Sequence, residues 1–301
     1  MPEVPKIEFA SQTMQQARVI WNALYELFAD SGFSMAGAVA FSFVLSLFPF
    51  CIFLGAFAGY FGGASLARSA VGELFHILPG PVASAIEPEV MAVMGQSRFG
   101  LLTVGALIAL FFATSAIESL RAALNIAYRV KETKSYPACL MQSGFLVIVS
   151  ALGLLAMAWG IVVGPQMAER YQPVWLLMSD RGWTTFIIRY LIVAIAIGAQ
   201  LLAYHLYLAA GRRRFADVLP GVALSIVLWM LEANLFTSWL RVSDYSRFYA
   251  GLTQVMCALV FFQMAAIIVI LGAEVNRAFA DLRARHIENL NDLLSAGDKP
   301  A

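Results

Sequence analysis

Charge is scarce in this chain. Only 13% of its 301 residues are Asp, Glu, Lys or Arg, 60% are apolar, and mean hydropathy is +0.76. Soluble globular chains average about 25% charged and about 45–50% apolar. A core of its own cannot hide so much apolar surface, so the solvent for most of the chain is lipid rather than water. The few charges nearly cancel, leaving +1, which argues against nucleic acid as a partner. Cysteine is almost absent. Cys51, Cys139 and Cys257 each sit in an uncharged apolar run, where they read as small buried hydrophobes and not as a disulfide framework. His76, His205 and His286 lie in separate segments, and there is no HExxH, no GxSxG and no Gly-rich loop ending in Lys-Ser or Lys-Thr. No residues are left to carry a zinc-hydrolase, serine-hydrolase or P-loop reading, so no catalytic residue, metal or cofactor is expected. Residues 1–32 lack a basic segment followed by an apolar one, and no cleaved signal peptide is expected.

What the chain does have is long apolar runs. A membrane-spanning helix needs about 20 apolar residues, and six runs qualify, at about 33–61, 99–128, 138–166, 190–211, 218–240 and 248–274. The fold class expected is therefore all-α, a polytopic membrane protein with six transmembrane helices plus interfacial amphipathic helices. Residues 1–32 form an N-terminal cytoplasmic or interfacial segment, 33–280 the membrane domain and 281–301 a cytoplasmic tail, polar and disordered from about Ser295. Over 12–29, Met14, Ala17, Trp21, Leu24, Tyr25 and Phe28 share one helical face, and Gln15, Arg18, Asn22 and Glu26 the other. Such a helix suits the membrane interface, the alternative being a soluble helix packed on the loops. Gly62 to Arg98 reads as two outer-surface helices broken at Pro79-Gly80-Pro81, either a lid or a cover for the bundle end. Pro49 should kink the first span, because its ring removes a backbone hydrogen bond, with Ser46 placed to satisfy freed groups. Gly55 and Gly59 give a GxxxG spacing that permits a homo-oligomer.

Basic residues set the orientation. With the N-terminus inside, 13 of the 20 Lys and Arg fall on inner segments and seven on outer ones, and Arg212-Arg213-Arg214 is the strongest anchor. Both termini are expected to be cytoplasmic.

The polar residues inside these runs are the candidates for function. Thr114, Glu118, Arg121, Asn125, Arg129 and Glu132 fall within roughly an 80° arc of one continuous helix. A polar stripe on a helix leaving a membrane must face protein or water. Gln263, Glu274, Arg277 and Asp281 make a second stripe. Facing stripes would let Glu274 pair with Arg121, although Glu118 lies within i,i+3 reach of Arg121 and is sufficient by itself. Ordinary interfacial ion pairs are the alternative for both stripes. Glu232 interrupts the fifth span, where an ionised side chain costs about 2.5–3.5 kcal/mol. It is either a proton or substrate site inside the bundle, a structural hydrogen bond between helices, or a glutamate close enough to the outer interface to be wet. The candidate polar cavity or helix-pairing set is thus Glu118, Arg121, Asn125, Glu232, Gln263 and Glu274. His205, between Tyr204 and Tyr207, reads as part of an interface aromatic belt.

The motifs LSLFPF at 45–50, TSAIESLRAALNIAYRV at 114–130, DVLPG at 217–221 and ILGAEVNRAF at 270–279 resemble the YihY/BrkB family of bacterial inner-membrane proteins. The resemblance runs from roughly Ser34 to Ala280, with Pro49, Asn125 and Glu274 at motif positions. The chain departs from the pattern at Tyr249-Ala250-Gly251, which replaces an adjacent Tyr-Gly, and at Glu232. The resemblance implies six helices, cytoplasmic termini and an inner-membrane location. It also carries a virulence label and an old ribonuclease label generally regarded as mistaken. The function expected is transport or handling of a lipid or other envelope component. Its partners would be membrane lipids and a small amphiphilic substrate. The rival is a non-catalytic envelope structural or assembly factor.

Overall fold

The structure is a computed structural model that describes residues 20–47, 49, 72, 99–170, 181–242 and 253–297. The expected lid helices, the Gly55–Gly59 pair and Cys51 lie outside the described residues. So do the flanks of Pro49, and with them its expected kink. Among the described residues there is no strand. The helices are α1 (Ile20–Ala29), α2 (Gly32–Leu47), α3 (Phe99–Ala127), α4 (Tyr136–Arg170), α5 (Arg181–Ala203), α6 (Phe215–Val242) and α7 (Thr253–Gly297). Among the described residues, five stretches are long and apolar enough to cross a membrane: Thr103–Ala127, Tyr136–Gly153, Leu191–Leu208, Phe215–Phe236 and Val255–Ala284. The pair α1 and α2, bent by 71°, makes a sixth if counted as one span. The chain is an all-α polytopic membrane protein. Leu107, Phe111, Leu152, Ile195 and Leu235 stand exposed on the outside of the bundle, as side chains in contact with lipid do.

Local chemistry explains the helix ends. The polar stripe at 114–132 was expected to run on one uninterrupted helix, yet α3 stops at Ala127. Arg129 takes a left-handed backbone (φ 54°). Its N–H donates to Ile126 O (2.8 Å), and the Val130 N–H donates to Asn125 O (2.9 Å). This is the double bond of a Schellman stop, made here without glycine. A left-handed non-glycine residue costs roughly 1–2 kcal/mol. The Arg129 guanidinium offsets that cost through ion pairs with Glu26 (3.4 Å) and Asp30 (3.8 Å). Past the stop, Arg129 and Glu132 leave the helical register. α4 then starts with Ser135 O accepting from Cys139 N (3.1 Å) and with Pro137 in its first turn, where a missing N–H does no harm.

Ser31 separates α1 from α2, again with a left-handed backbone (φ 59°). At Gly32 a Cβ would come within 2.8 Å of Leu27 O, so the bend needs a glycine. The faces of α1 are arranged to serve both solvents. Trp21, Tyr25 and Phe28 point outward, Ala23 and Leu27 are buried, and Glu26 turns toward arginines of other helices.

The tightest helix crossing is between α6 and α7. A Cβ on Gly221 would collide with Gly272 O, and one on Gly272 would sit 2.5 Å from Ser225 Oγ. Small residues one turn apart let backbones approach this closely. Ser225 Oγ donates to Ile268 O (3.2 Å), and Trp229 Nε1 to Ala265 O (3.1 Å). α7 has 45 residues and is therefore about 68 Å long, twice the hydrocarbon thickness, so it projects well beyond the bilayer. It stays helical through Ser295 to Gly297, where a disordered tail was expected. Ser46 does not serve the proline as expected: its Oγ donates to Phe43 O (2.7 Å).

Candidate functional site

One end of the bundle collects nearly all the buried polar chemistry. The end of α3, the start of α4, the α5–α6 connection and α7 meet there, and α1 lies against them.

Arg121 is the centre of the first cluster. It is 3% exposed. Its guanidinium donates to Gln142 Oε1 (3.0 Å), Cys139 O (2.9 Å) and Ser143 Oγ (2.8 Å), all on α4. Glu118 (3.4 Å) and Glu132 (3.5 Å) flank it. Ser143 Oγ in turn donates to Glu118 Oε1 (2.5 Å), and Lys134 Nζ to Gln142 Oε1 (2.7 Å). Gln142 also donates to Tyr207 O. Asn125 completes the cluster: its Oδ1 accepts from Ala210 N (2.7 Å), and its Nδ2 donates to Glu132 Oε2 (3.4 Å). Glu132 sits on the turn outside the spans. Burial opposes its charge, but bonds from Lys134 N, Asn125 and Thr133 N and the nearby Arg121 outweigh it and hold the pKa below the ordinary carboxylate value.

The second cluster was missed in the sequence. His205 is wholly buried on a π-helical turn, Tyr204–Leu208, that ends α5. It is not part of an interface belt. Its Nδ1 lies 2.8 Å from Tyr128 OH, and Asn276 Nδ2 donates to that hydroxyl (3.1 Å). Burial pushes the Tyr128 phenol up to about 12, so it keeps its proton. Tyr128 OH and His205 Nδ1 share one hydrogen bond, in which the phenol donates if the neutral imidazole carries its hydrogen on Nε2 and accepts if it carries it on Nδ1. Asn276 Oδ1 accepts from Gly221 N (2.6 Å). Arg213 lies 3.6 Å above the Tyr128 ring and donates to His205 O (3.3 Å) and Ala210 O (2.8 Å). Tyr128 and Asn276 stand inside the motifs at 114–130 and 270–279, but a single tyrosine or asparagine gives no sign of its partner. Replacing Tyr128 with Phe would leave Nδ1 of His205 and Nδ2 of Asn276 unpaired in the core. The expected loss is about 2–4 kcal/mol, to be read as lower thermal stability in detergent.

The third cluster holds α1 in place. Arg277 touches Glu26 and reaches Glu274 (2.8 Å) and Asp281 (3.3 Å), and its Nε donates to Ala127 O (2.9 Å). The expected Arg121–Glu274 pair does not form. The α3 side chains toward α7 are Ala123 and Ala127, which line a narrow crevice with Glu274, while Arg121 faces α4. The two other candidates stand apart. Gln263 Nε2 reaches Phe33 O (3.5 Å) and ties α7 to α2. Glu232 lies three turns along α6 from Gly221 and has a buried oxygen with no hydrogen-bond partner among the described residues. The structure thus unites Glu118, Arg121 and Asn125, places Glu274 in a neighbouring cluster, and leaves Glu232 and Gln263 outside.

Between the second and third clusters lies a cavity of about 300 Å³. It is lined by Tyr128, Val130, Arg212, Arg213, Asp217, Asn276 and Arg277, with Gly211 at its rim. Gly211 has φ +87°, a backbone that a side chain would strain. Arg212 and Arg213 give the lining its positive charge, since Arg277 is already paired with Glu26, Glu274 and Asp281. Asp217 is further neutralised by Arg283 of α7 (2.5 Å). No group of three or more His, Cys, Asp or Glu able to hold a metal ion occurs among the described residues.

A helical bundle with lipid-facing sides and buried polar clusters at one end defines a multi-pass membrane protein. Residues 23–292 match the family described as Virulence factor BrkB, and the chain belongs to that family. It is similar to YfkH of Bacillus subtilis (strain 168), a protein described as ribonuclease-like. The two are 25% identical over 264 residues, covering 84% of this chain and 93% of the relative. No solved structure matches.

Proposed function

We propose that this protein moves or handles an anionic amphiphile, a lipid or other envelope component, in the bacterial inner membrane, with both termini cytoplasmic. The observation that carries this reading is the cationic cavity at the bundle end bearing Arg212-Arg213-Arg214. The clustering of Lys and Arg on the segments at that end supports a cytoplasmic placement for it. A negative headgroup fits beside Arg212 and Arg213, since planar guanidinium groups bind phosphate and carboxylate in two-pronged fashion. The acyl part would stay with the exposed apolar faces of the helices. α1, with Trp21, Tyr25 and Phe28 outward, suits the membrane surface.

The purified protein, reconstituted in vesicles, should speed leaflet exchange of fluorescent phosphatidylglycerol several-fold over empty vesicles and act less on phosphatidylcholine. Arg212→Gln with Arg213→Gln should remove that preference. Equal, background rates for both lipids would reject the reading. The second reading, an envelope assembly factor, draws on the polar clusters themselves, whose members are mostly satisfied within the protein. It predicts a stable co-purifying protein and no vesicle activity. Neither reading is enzymatic. Two-metal RNA hydrolysis needs carboxylates gathered around an open water site, and here Glu118, Glu132 and Glu274 are engaged with arginines.

A further inference from the structure

We propose that Glu274 and Asp30 form a proton-binding site at the α1–α2 bend, and that the proton held there couples pH to the handling of the amphiphile proposed above. The Glu274 side chain is 1% exposed. Its Oε2 pairs with Arg277, but Oε1 is buried with no hydrogen-bond partner among the described residues. Asp30 Oδ2 is likewise buried without a hydrogen bond among the described residues, and Arg129 pairs with it at 3.8 Å. Both acids line the same narrow crevice, whose other walls are Leu27, Gly32, Met35, Ala123, Ala127 and Ile270. That crevice is otherwise lined by apolar residues, Ile126 among them, and neither orphaned oxygen has a hydrogen-bond donor among the described residues. A proton on Glu274 Oε1 turns that orphaned acceptor into a neutral hydroxyl, and the negative charge of Asp30 in the same crevice favours it.

The surrounding charges support this assignment. Glu26 and Asp30 come from α1 and its end, Arg129 and Tyr128 from the turn after α3, and Arg277 and Asp281 from α7. α2 between Gly32 and Leu47 has no titratable residue. Four carboxylates thus share two guanidinium groups, and Arg277 alone serves Glu26, Glu274 and Asp281. Of the four, Asp281 is open to water, which leaves the excess charge on the buried side. Protonating Glu274 frees Arg277 for Glu26 and holds α1 against the bundle. Removing the proton sets Glu274 against Asp30 and in competition with Glu26, which loosens α1 at the bend where Ser31 and Gly32 already turn the chain.

The test is infrared difference spectroscopy on the full chain in phosphatidylglycerol–phosphatidylethanolamine vesicles, titrated from acid to alkaline, alongside the lipid-exchange assay. The expected result is a protonated-carboxyl band that titrates, vanishes in Glu274→Gln and shifts in Asp30→Asn. Exchange of fluorescent phosphatidylglycerol should change several-fold across the same titration and lose its pH dependence in Glu274→Gln, since the amide mimics the protonated acid in shape and charge. A band unaltered in Glu274→Gln overturns the proposal, as does exchange with the same pH dependence in that variant and the parent protein. Because this inference rests on the proposed function, the two readouts keep the failures apart. A titrating Glu274 band without lipid exchange sinks the function and leaves the proton site standing, whereas exchange without the band does the reverse. Asp30→Asn, at a partly exposed side chain, covers the case in which Glu274→Gln does not fold.

Discussion

Replacing Gly221 with alanine should destabilise the protein by about 3 kcal/mol or more, enough to deplete folded protein from the membrane. Helix propensity alone predicts the opposite, because Ala is favoured over Gly in a helix by about 1 kcal/mol. The clash decides the sign. The new Cβ would collide with the Gly272 carbonyl and come within 2.6 Å of Asn276 Oδ1. The first obstacle is backbone, which cannot rotate away, and the second is the acceptor of the Gly221 N–H. α6 and α7 would have to part, stretching the bonds Ser225 and Trp229 make across the seam. Because Asn276 also donates to Tyr128, the shift should reach the His205 cluster. Gly144→Ala is the control, since a Cβ there meets nothing within 4 Å, and it should be neutral or slightly stabilising. Thermal unfolding of the three proteins in one detergent measures both. Equal midpoints for Gly221→Ala and the parent protein would show that the helices do not cross as described.

The spans were legible because hydropathy is local. α3 covers the apolar run from Phe99 onward, and α6 covers the run that Glu232 interrupts. What hydropathy cannot carry is direction. Glu118, Arg121 and Asn125 are together because they share one helical face, which the 3.6-residue period makes readable. Their partners Gln142, Ser143 and Ala210 are 21 to 85 residues away, and nothing in the sequence points to them. The stop at Ala127 was hidden for another reason. Left-handed stops are usually marked by glycine, and here an arginine takes the position because two acids of α1 hold its side chain. The burial of His205 was hidden too, since the π-turn that rotates it inward leaves no mark in residue spacing. Glu26 belongs to the polar face of an amphipathic helix, and the pattern gives no sign that it meets Arg129 and Arg277.

The Arg121→Met variant should lose about 3–5 kcal/mol, the range for removing one partner of a buried ion pair. Methionine fills the space of the side-chain stem, so lost packing is a minor part. The larger part comes from what remains. The carboxylates of Glu118 and Glu132, the Gln142 and Ser143 side chains and the Cys139 carbonyl all face the vacated position. Arg121→Lys should fall between, because an ammonium keeps the charge but cannot spread three donors over one turn of α4. Adding Glu118→Gln to Arg121→Met removes one orphaned charge and should restore part of the loss, a coupling of about 1–3 kcal/mol in a double-mutant cycle. The same cycle run on Arg121 and Glu274 should show additivity, because Glu274 answers to Arg277. Thermal unfolding of the purified variants resolves these cases. A coupling of Arg121 to Glu274 as large as that to Glu118 would mean that the two polar stripes face each other after all. The separation of the bundle end into an α3–α4 cluster and an α1–α7 cluster would then be wrong, and with it the placement of the proton site beside α1.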